Sequence, residues 1–381
     1  MHLGDPVLVQ FIRNTIQRQG PVTFAWFMEQ ALYHPEWGYY SSGRCAIGRR
    51  GDYFTNVSVG PLFGRLLAAQ FAEMWVAMGR PADFVIVEQG AHQGDFAGDV
   101  LKALEERNPD LFALLRYLII EPFPILEKRQ RKALNSFGDK INWRNSVGDL
   151  EPFCGVHFSN ELLDAMPVHL VSYSEDGWLE RRVTLAGDGF SFVRSPINDT
   201  DLMSYLEELP SPSSPPYETE VNRAACRWIE AVAQKLSRGF LLTVDYGYPR
   251  DVYYREERKS GTLQCYSGNR VIPSPLNAIG QADVTAHVDW TSIIEHAQRR
   301  GLAFAGFADQ HHFLTGLITG PMSNPLERQS DAGTQRALQT LLHPELLGRT
   351  FQYLLLEKEA PLETPLSGFR FEREPRLAIR S

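Results

Sequence analysis

The stretch Phe84-Val85-Ile86-Val87-Glu88-Gln89-Gly90-Ala91-His92-Gln93-Gly94 sets the fold class. Arg80-Pro81-Ala82 ends the preceding pattern, and four consecutive apolar residues follow without alternation. Such a run between turn signals reads as a strand buried on both faces, as in a sheet covered by helices on either side. Glycines at 90 and 94 then mark a tight turn into a helix running through Leu104. The unit recurs. Tyr117-Leu118-Ile119-Ile120 ends at Glu121-Pro122 and leads to a helix from about Pro124 to Leu134. Ile141-Asn142-Trp143, Gly155 to Ser159 and Gly239 to Val244 read as further strands, and Phe351 to Leu356 as the last. Strands alternating with helices predict an α/β fold with a parallel sheet and crossover helices.

Outward from this core the pattern changes. Val7–Gln19 has helical apolar spacing and stops at Gly20-Pro21; Thr23 can cap a second helix, and a third covers about Gly60 to Met78. Leu170 to Val193 carries two β-like runs around Glu175-Asp176-Gly177, with another turn at Gly187-Asp188-Gly189, and reads as an antiparallel hairpin insertion. Glu218 to Leu236 reads as one amphipathic helix, and the Pro-rich tail from Pro361 as poorly ordered. The expected organisation is a helical region over 1–80 closing over the site and a core over 81–360, with a tail over 361–381. The core carries insertions at about 168–216 and 248–284.

Composition excludes several classes. Of 381 residues, 43% are hydrophobic and 22% charged, which rules out disorder for most of the chain. The net charge of −8 argues against a general nucleic-acid or anionic-membrane partner. No apolar run approaches the roughly 20 residues of a membrane span. Cys45, Cys154, Cys226 and Cys265 form no CxxC pair, so no metal site is expected. Reduced cysteines and the lack of a targeting signal give the expectation of a bacterial cytoplasmic protein. Apolar helices in the N-terminal region leave a homodimer open.

Four segments carry chemistry. The turn Glu88 to Gly94 can bring backbone N–H groups and a helix N-terminus to a ligand. It departs from G-x-G-x-x-G because His92 stands where a glycine is expected, which disfavours a nicotinamide-dependent oxidoreductase. Glu121, at the end of the next strand, can accept both hydroxyl hydrogens of a ribose, or can be a solvated strand-end acid. Asp149 and Leu150 offer a polar and an apolar contact to a base, or a surface turn. Asn160, Glu161 and Asp164 cluster after the fourth strand, where Asn160 can orient an amine and Glu161 a guanidinium, although helix capping also explains Asn160. His287, in Asp283-Val284-Thr285-Ala286-His287-Val288-Asp289, can act as a base or be structural.

Together these blocks resemble a known family. Ala31-Leu32-Tyr33-His34-Pro35-Glu36-Trp37-Gly38-Tyr39-Tyr40, Gly51-Asp52-Tyr53-Phe54-Thr55, Asn160 to Pro167, Gly261 to Tyr266 and Asp283 to Asp289 are similar to blocks of the MidA-like S-adenosylmethionine (SAM)-dependent methyltransferases. That family includes the mitochondrial complex I assembly factor, an arginine methyltransferase. The resemblance runs from about residue 20 to about 320. It implies a seven-stranded Rossmann-like class I methyltransferase sheet. It also implies that Glu88, Gly90 and Gly94 form the SAM loop, that Glu121 holds the ribose, and that Asp149 and Leu150 flank the adenine. Gly51, Thr55, His92, Pro122 and Asn160 join them as candidate SAM contacts. Asn160, Glu161, Asp164 and His287 are the candidate catalytic residues. Tyr39, Tyr40 and Phe54 are expected to close over the site.

Two departures fall on the site. His92 replaces the central glycine of the family's Gly-x-Gly-x-Gly loop, and Asn56-Val57-Ser58-Val59-Gly60 replaces Ser-Pro-Glu-Val-Ser, with loss of a carboxylate. The expected function is methyl transfer to a nitrogen or oxygen of a protein or small-molecule acceptor, protein arginine among them. The rival is a catalytically weak methyltransferase fold serving as an assembly or scaffold protein.

Overall fold

The run Phe84 to Val87 enters the centre of a seven-stranded sheet in the computed structural model, which describes residues 3–45, 55–212, 214–268, 270–321 and 332–371. The strands are β1 (Val85–Gln89), β2 (Arg116–Ile120), β3 (Ile141–Arg144), β4 (Phe153–Asn160), β5 (Leu236–Asp245), β6 (Ala303–Asp309) and β7 (Gln352–Lys358). Their order is β3-β2-β1-β4-β5-β7-β6. The first five pair in parallel, and β7 runs antiparallel to β5 and β6.

This sheet belongs to a unit made of Thr55–Leu162, Trp228–Tyr246 and Thr291–Ser381. Side chains alternate across it as strand geometry demands. Ile86, Val156, Phe158 and Leu242 pack with Phe63, Leu67 and Phe71 of helix Leu62–Ala77 and with Phe96 and Val100 of helix Asp95–Arg107. Phe158 stacks on Phe96 at 4.6 Å and meets Phe71 edge-on at 5.6 Å. Each such buried ring contributes about 1.5–3 kcal/mol of transfer free energy. On the opposite face His157 meets Trp228, whose indole N–H donates to Gln89 at 2.8 Å. Burial on both faces explains why β1 reads as an unbroken apolar run.

Two features of this unit depart from expectation. Strand β6 is hidden in the sequence because Gly306 interrupts it, with a register shift between Phe304 and Gly306. A Cβ at Gly306 would lie 2.6 Å from the ring of Phe369. The described part of the tail is also packed: Leu366 and Phe369 are buried, and Ser367 N–H and hydroxyl donate to Glu73. Pro-rich composition signalled a loose end, but two apolar side chains found a core.

The other unit comprises Met1–Phe54, Leu163–Arg227 and Gly247–Trp290. Its helices Pro6–Gln19 and Phe24–Tyr33 are capped by Asp5 and Thr23. The hairpin insertion forms, with strands His169–Ser174, Gly177–Ala186 and Gly189–Ser195. The helix expected over 218–236 begins only at Arg223. Tyr217–Val221 is instead a strand paired with His169–Tyr173. The alternation Tyr-Glu-Thr-Glu-Val suits an extended chain, and Asn222 Oδ1 accepts from Ala225 N–H to start the helix. Tyr39 is buried in this unit's core and Tyr40 packs against it; Phe54 and Gly51 lie outside the described residues.

Candidate active site

The sheet order reverses between β1 and β4, and in open α/β sheets ligands bind beyond the carboxyl ends of the strands at such a point. Gln89 is in register with Ile120 on one side and Ser159 on the other, so the chain leaves β1, β2 and β4 side by side. Gly90, Glu121 and Asn160 therefore emerge at one edge.

The loop after β1 is built on left-handed backbone. Gly90 has φ 86° and Gly94 φ 88°, and Gly94 N–H closes the turn onto Ala91 C=O at 2.8 Å. A Cβ on Gly94 would sit 3.0 Å from Leu134 Cδ1, so the helix start packs tightly on the C-terminal end of helix Pro124–Ala133. His92 has φ 45°, the conformation a glycine adopts freely. The departure from the family pattern thus keeps the loop's path at a conformational cost. The start of helix Asp95–Arg107 favours a polar or anionic group there.

Two buried acids frame this loop. Glu88 accepts the Tyr117 hydroxyl at 2.7 Å. Burial raises its pKa to about 7, against the lowering effect of Tyr117. Glu121 accepts Phe123 N–H at 3.0 Å on one oxygen and Gln130 Nε2 at 2.8 Å on the other. Burial likewise lifts it to about 7, with both hydrogen bonds opposing. Each Glu121 oxygen keeps a further lone pair for a hydroxyl donor. Beyond β3, Leu150 is buried and Asp149 is exposed with its carboxylate on Ser146 Oγ at 2.9 Å. Lys235 Nζ donates to Gly148 and Leu150 carbonyls and fixes that turn. Pro122 is exposed at the end of β2.

Asn160 ends β4. Its Nδ2 donates to Glu161 Oε1 at 2.9 Å, and its Oδ1 lies 3.5 Å from Asn56 Nδ2. Glu161 has φ 51°, and its other oxygen accepts from Tyr246 at 3.4 Å. A non-glycine residue held there is a strained position of the sort that clusters at functional sites. Asp245 accepts Leu162 N–H at 3.1 Å and holds the turn. Thr55 and Ser58 cap one another's N–H groups around a short turn, so Ser58 completes the altered segment without a carboxylate.

Asp164 and His287 belong to the other unit. Asp164 C=O accepts Ala286 N–H at 2.9 Å, which brings the two sequence blocks together. His287 N–H donates to Thr262 Oγ1 at 3.0 Å, and its ring meets Tyr248 edge-on. Burial, with Arg258 adding, lowers its pKa to about 4. Thr262 is in turn held by the fully buried Glu220, which accepts its N–H and hydroxyl and the N–H of Leu263. Sequence reasoning missed Glu220 because it falls within the span expected to be an amphipathic helix. It also missed Gln130, which is fully buried on helix Pro124–Ala133. Among the described residues no group of three or more His, Cys, Asp or Glu side chains could hold a metal ion, and no helix is long and apolar enough to cross a membrane.

Residues 66–308 match a family model described as S-adenosyl-L-methionine-dependent methyltransferase. The chain belongs to the MidA-like family. It is a SAM-dependent methyltransferase with an α/β methyltransferase fold, and it requires a methyl acceptor. This MidA-like chain is 30% identical to a Burkholderia thailandensis protein solved with S-adenosylhomocysteine bound, with a TM-score of 0.85 over 97% of this chain and 96% of that one. It is 26% identical to the mitochondrial protein arginine methyltransferase NDUFAF7 of Bos taurus, covering 93% of this chain and 87% of that protein. Against the Homo sapiens protein of the same name the identity is 25%, covering 97% and 86%. The expectation of a cytoplasmic home is corrected by these relatives, which are named as mitochondrial. Reduced-type cysteine usage does not separate one reducing compartment from another.

Proposed function

We propose that this methyltransferase acts on a guanidinium nitrogen of a protein arginine. The observation that carries the reading is the Asn160–Glu161 pair, held in a strained turn at the carboxyl end of β4. Relatives over nine-tenths of the chain, named protein arginine methyltransferases, support it.

The donor set at the sheet edge fits SAM. Glu121 would accept the ribose hydroxyls, the Gly90 to Gly94 loop would hold the amino-acid portion, and Leu150 with Asp149 would flank the adenine. Pro122, His92 and Thr55 are assigned as flanking contacts, and Glu88 supports the loop through its bond to Tyr117. SAM, when bound, would supply an electrophilic methyl group on a sulfonium, the S–CH3 bond breaking to leave S-adenosylhomocysteine. The chain's own work is alignment and exclusion of water. Asn160 Oδ1 accepts an N–H of the acceptor, Glu161 pairs with its positive charge, and Glu161 receives the proton released as the N–C bond forms. Asp164, through its carbonyl bond to Ala286, keeps the His287 segment in place.

His287, whose imidazole is lowered to about 4 by burial, is poorly matched to the role of a general base. The test is methylation of a lysate with labelled SAM. Label recovered as methylarginine in protein is the expected result. Label confined to the small-molecule fraction would overturn the arginine reading.

A further inference from the structure

Gln130 contacts three parts of the cofactor edge at once. Its Nε2 donates to His92 C=O at 2.9 Å and to Glu121 Oε2 at 2.8 Å, and its Oε1 accepts the indole N–H of Trp143 at 2.9 Å. Trp143 lies on β3 with Arg131 over its ring at 4.1 Å. The Gln130 side chain has no exposed surface. An amide carries two N–H donors, and both are engaged. Gln130 therefore has no donor left for a ligand, and its effect runs through the groups it holds.

What it holds explains why it matters here. His92 sits in left-handed backbone, which a side chain disfavours. A bond to that residue's own carbonyl resists relaxation of the loop. The second N–H fixes the carboxylate at the end of β2 and stabilises its charged form. One side chain thus couples two segments that are separated in sequence and meet only in the fold.

We propose that Gln130 is a positioning residue that locks the loop at His92 to the carboxylate of Glu121, so that loop and ribose acid are presented to SAM as one rigid piece. The proposal rests on Glu121 being the ribose acid. A polar residue on the buried face of helix Pro124–Ala133 is otherwise a poor choice, since leucine or methionine would fill the space without a desolvation cost.

The test is calorimetric titration of the full chain with S-adenosylhomocysteine at pH 6, 7 and 8. Gln130→Met keeps the volume and removes both donors. It is expected to weaken binding about tenfold at pH 7 and to move the midpoint of the affinity–pH curve upward, because Glu121 then ionises less readily. It is also expected to shift the Trp143 indole N–H resonance without ligand. Adding His92→Gly, which makes left-handed backbone free, recovers part of the loss. Gln130→Glu keeps the shape and donates only when protonated, so its affinity falls from pH 6 to pH 8, the reverse of the wild type. This second variant serves if Gln130→Met does not fold. Wild-type affinity in Gln130→Met, or a uniform loss with an unmoved midpoint, would overturn the proposal. Glu121→Gln distinguishes the underlying reading: unchanged affinity there would overturn the ribose assignment itself.

Discussion

The Tyr117 hydroxyl donates to Glu88 across 2.7 Å, joining β2 to the C-terminal end of β1 just before the Gly90 to Gly94 loop. Glu88 is raised to about 7 by burial, so the folded carboxyl holds its proton more tightly than the unfolded one. Stability from this group is therefore fully present below the unfolded value near 4.5 and is lost as pH rises through about 7. Tyr117→Phe removes the donor that favours the charged form, so the folded value moves higher and the loss at alkaline pH deepens. We expect Tyr117→Phe to cost roughly 1–3 kcal/mol at pH 8 and clearly less at pH 5. Thermal melts at the two pH values check this, and an equal drop at both would sink it.

His157 predicts the opposite pH trend. Its ring is wholly buried against Trp228, neither ring nitrogen has a hydrogen-bond partner among the described residues, and burial lowers its pKa to about 3. The unfolded chain binds the proton more readily, so stability is fully present above about 6.5 and is lost as pH falls toward about 3. The loss is on the order of a few kcal/mol, since each tenfold change in proton affinity corresponds to about 1.4 kcal/mol. His157→Phe, which cannot be protonated, is expected to flatten the acid side of a plot of melting temperature against pH. An unchanged acid limb would show that other groups dominate.

Glu121 predicts the pH dependence of cofactor binding. Its carboxylate, raised to about 7 before ligand binds, accepts hydroxyl hydrogens best when ionised. Affinity for S-adenosylhomocysteine is then expected to rise through neutrality, with at most about tenfold per pH unit below the midpoint. Glu121→Gln should bind more weakly at pH 8 and lose most of this slope. Calorimetry across pH 6 to 8 decides it: a variant that keeps the wild-type slope would move the titrating group elsewhere.

Strands β1, β2, β4 and β5 were legible because each holds an apolar run with a chemically marked end, and Glu88, Glu121, Asn160 and Asp245 do fall at the ends of these neighbouring strands. Residues whose role is set by tertiary contact were not legible. Gln130 lies within Glu127-Lys128-Arg129-Gln130-Arg131-Lys132, where the local sequence reads as a solvated face. Glu220 looks like an extension of the strongly amphipathic helix that follows it, yet Thr262 and Leu263, some forty residues away, make it a buried acceptor. The positive φ of Glu161 left no trace either, because no glycine marks it.

That positive φ yields a prediction against the usual order of substitutions. Glycine in an element interior is normally less stable than alanine by roughly 0.5–1 kcal/mol. At position 161 the backbone is left-handed, so Glu161→Gly and Glu161→Ala lose the same bonds to Asn160 and Tyr246, but only alanine keeps the strain. Glu161→Gly is expected to be the more stable of the two by about 1–2 kcal/mol. Turnover should fall in both by a similar large factor, about tenfold or more, because both lack the carboxylate proposed to pair with the acceptor. Side-by-side denaturant melts and methylation rates test the two halves separately. Alanine more stable than glycine would remove the strain from the account, and near-wild-type turnover in either variant would remove Glu161 from the chemistry.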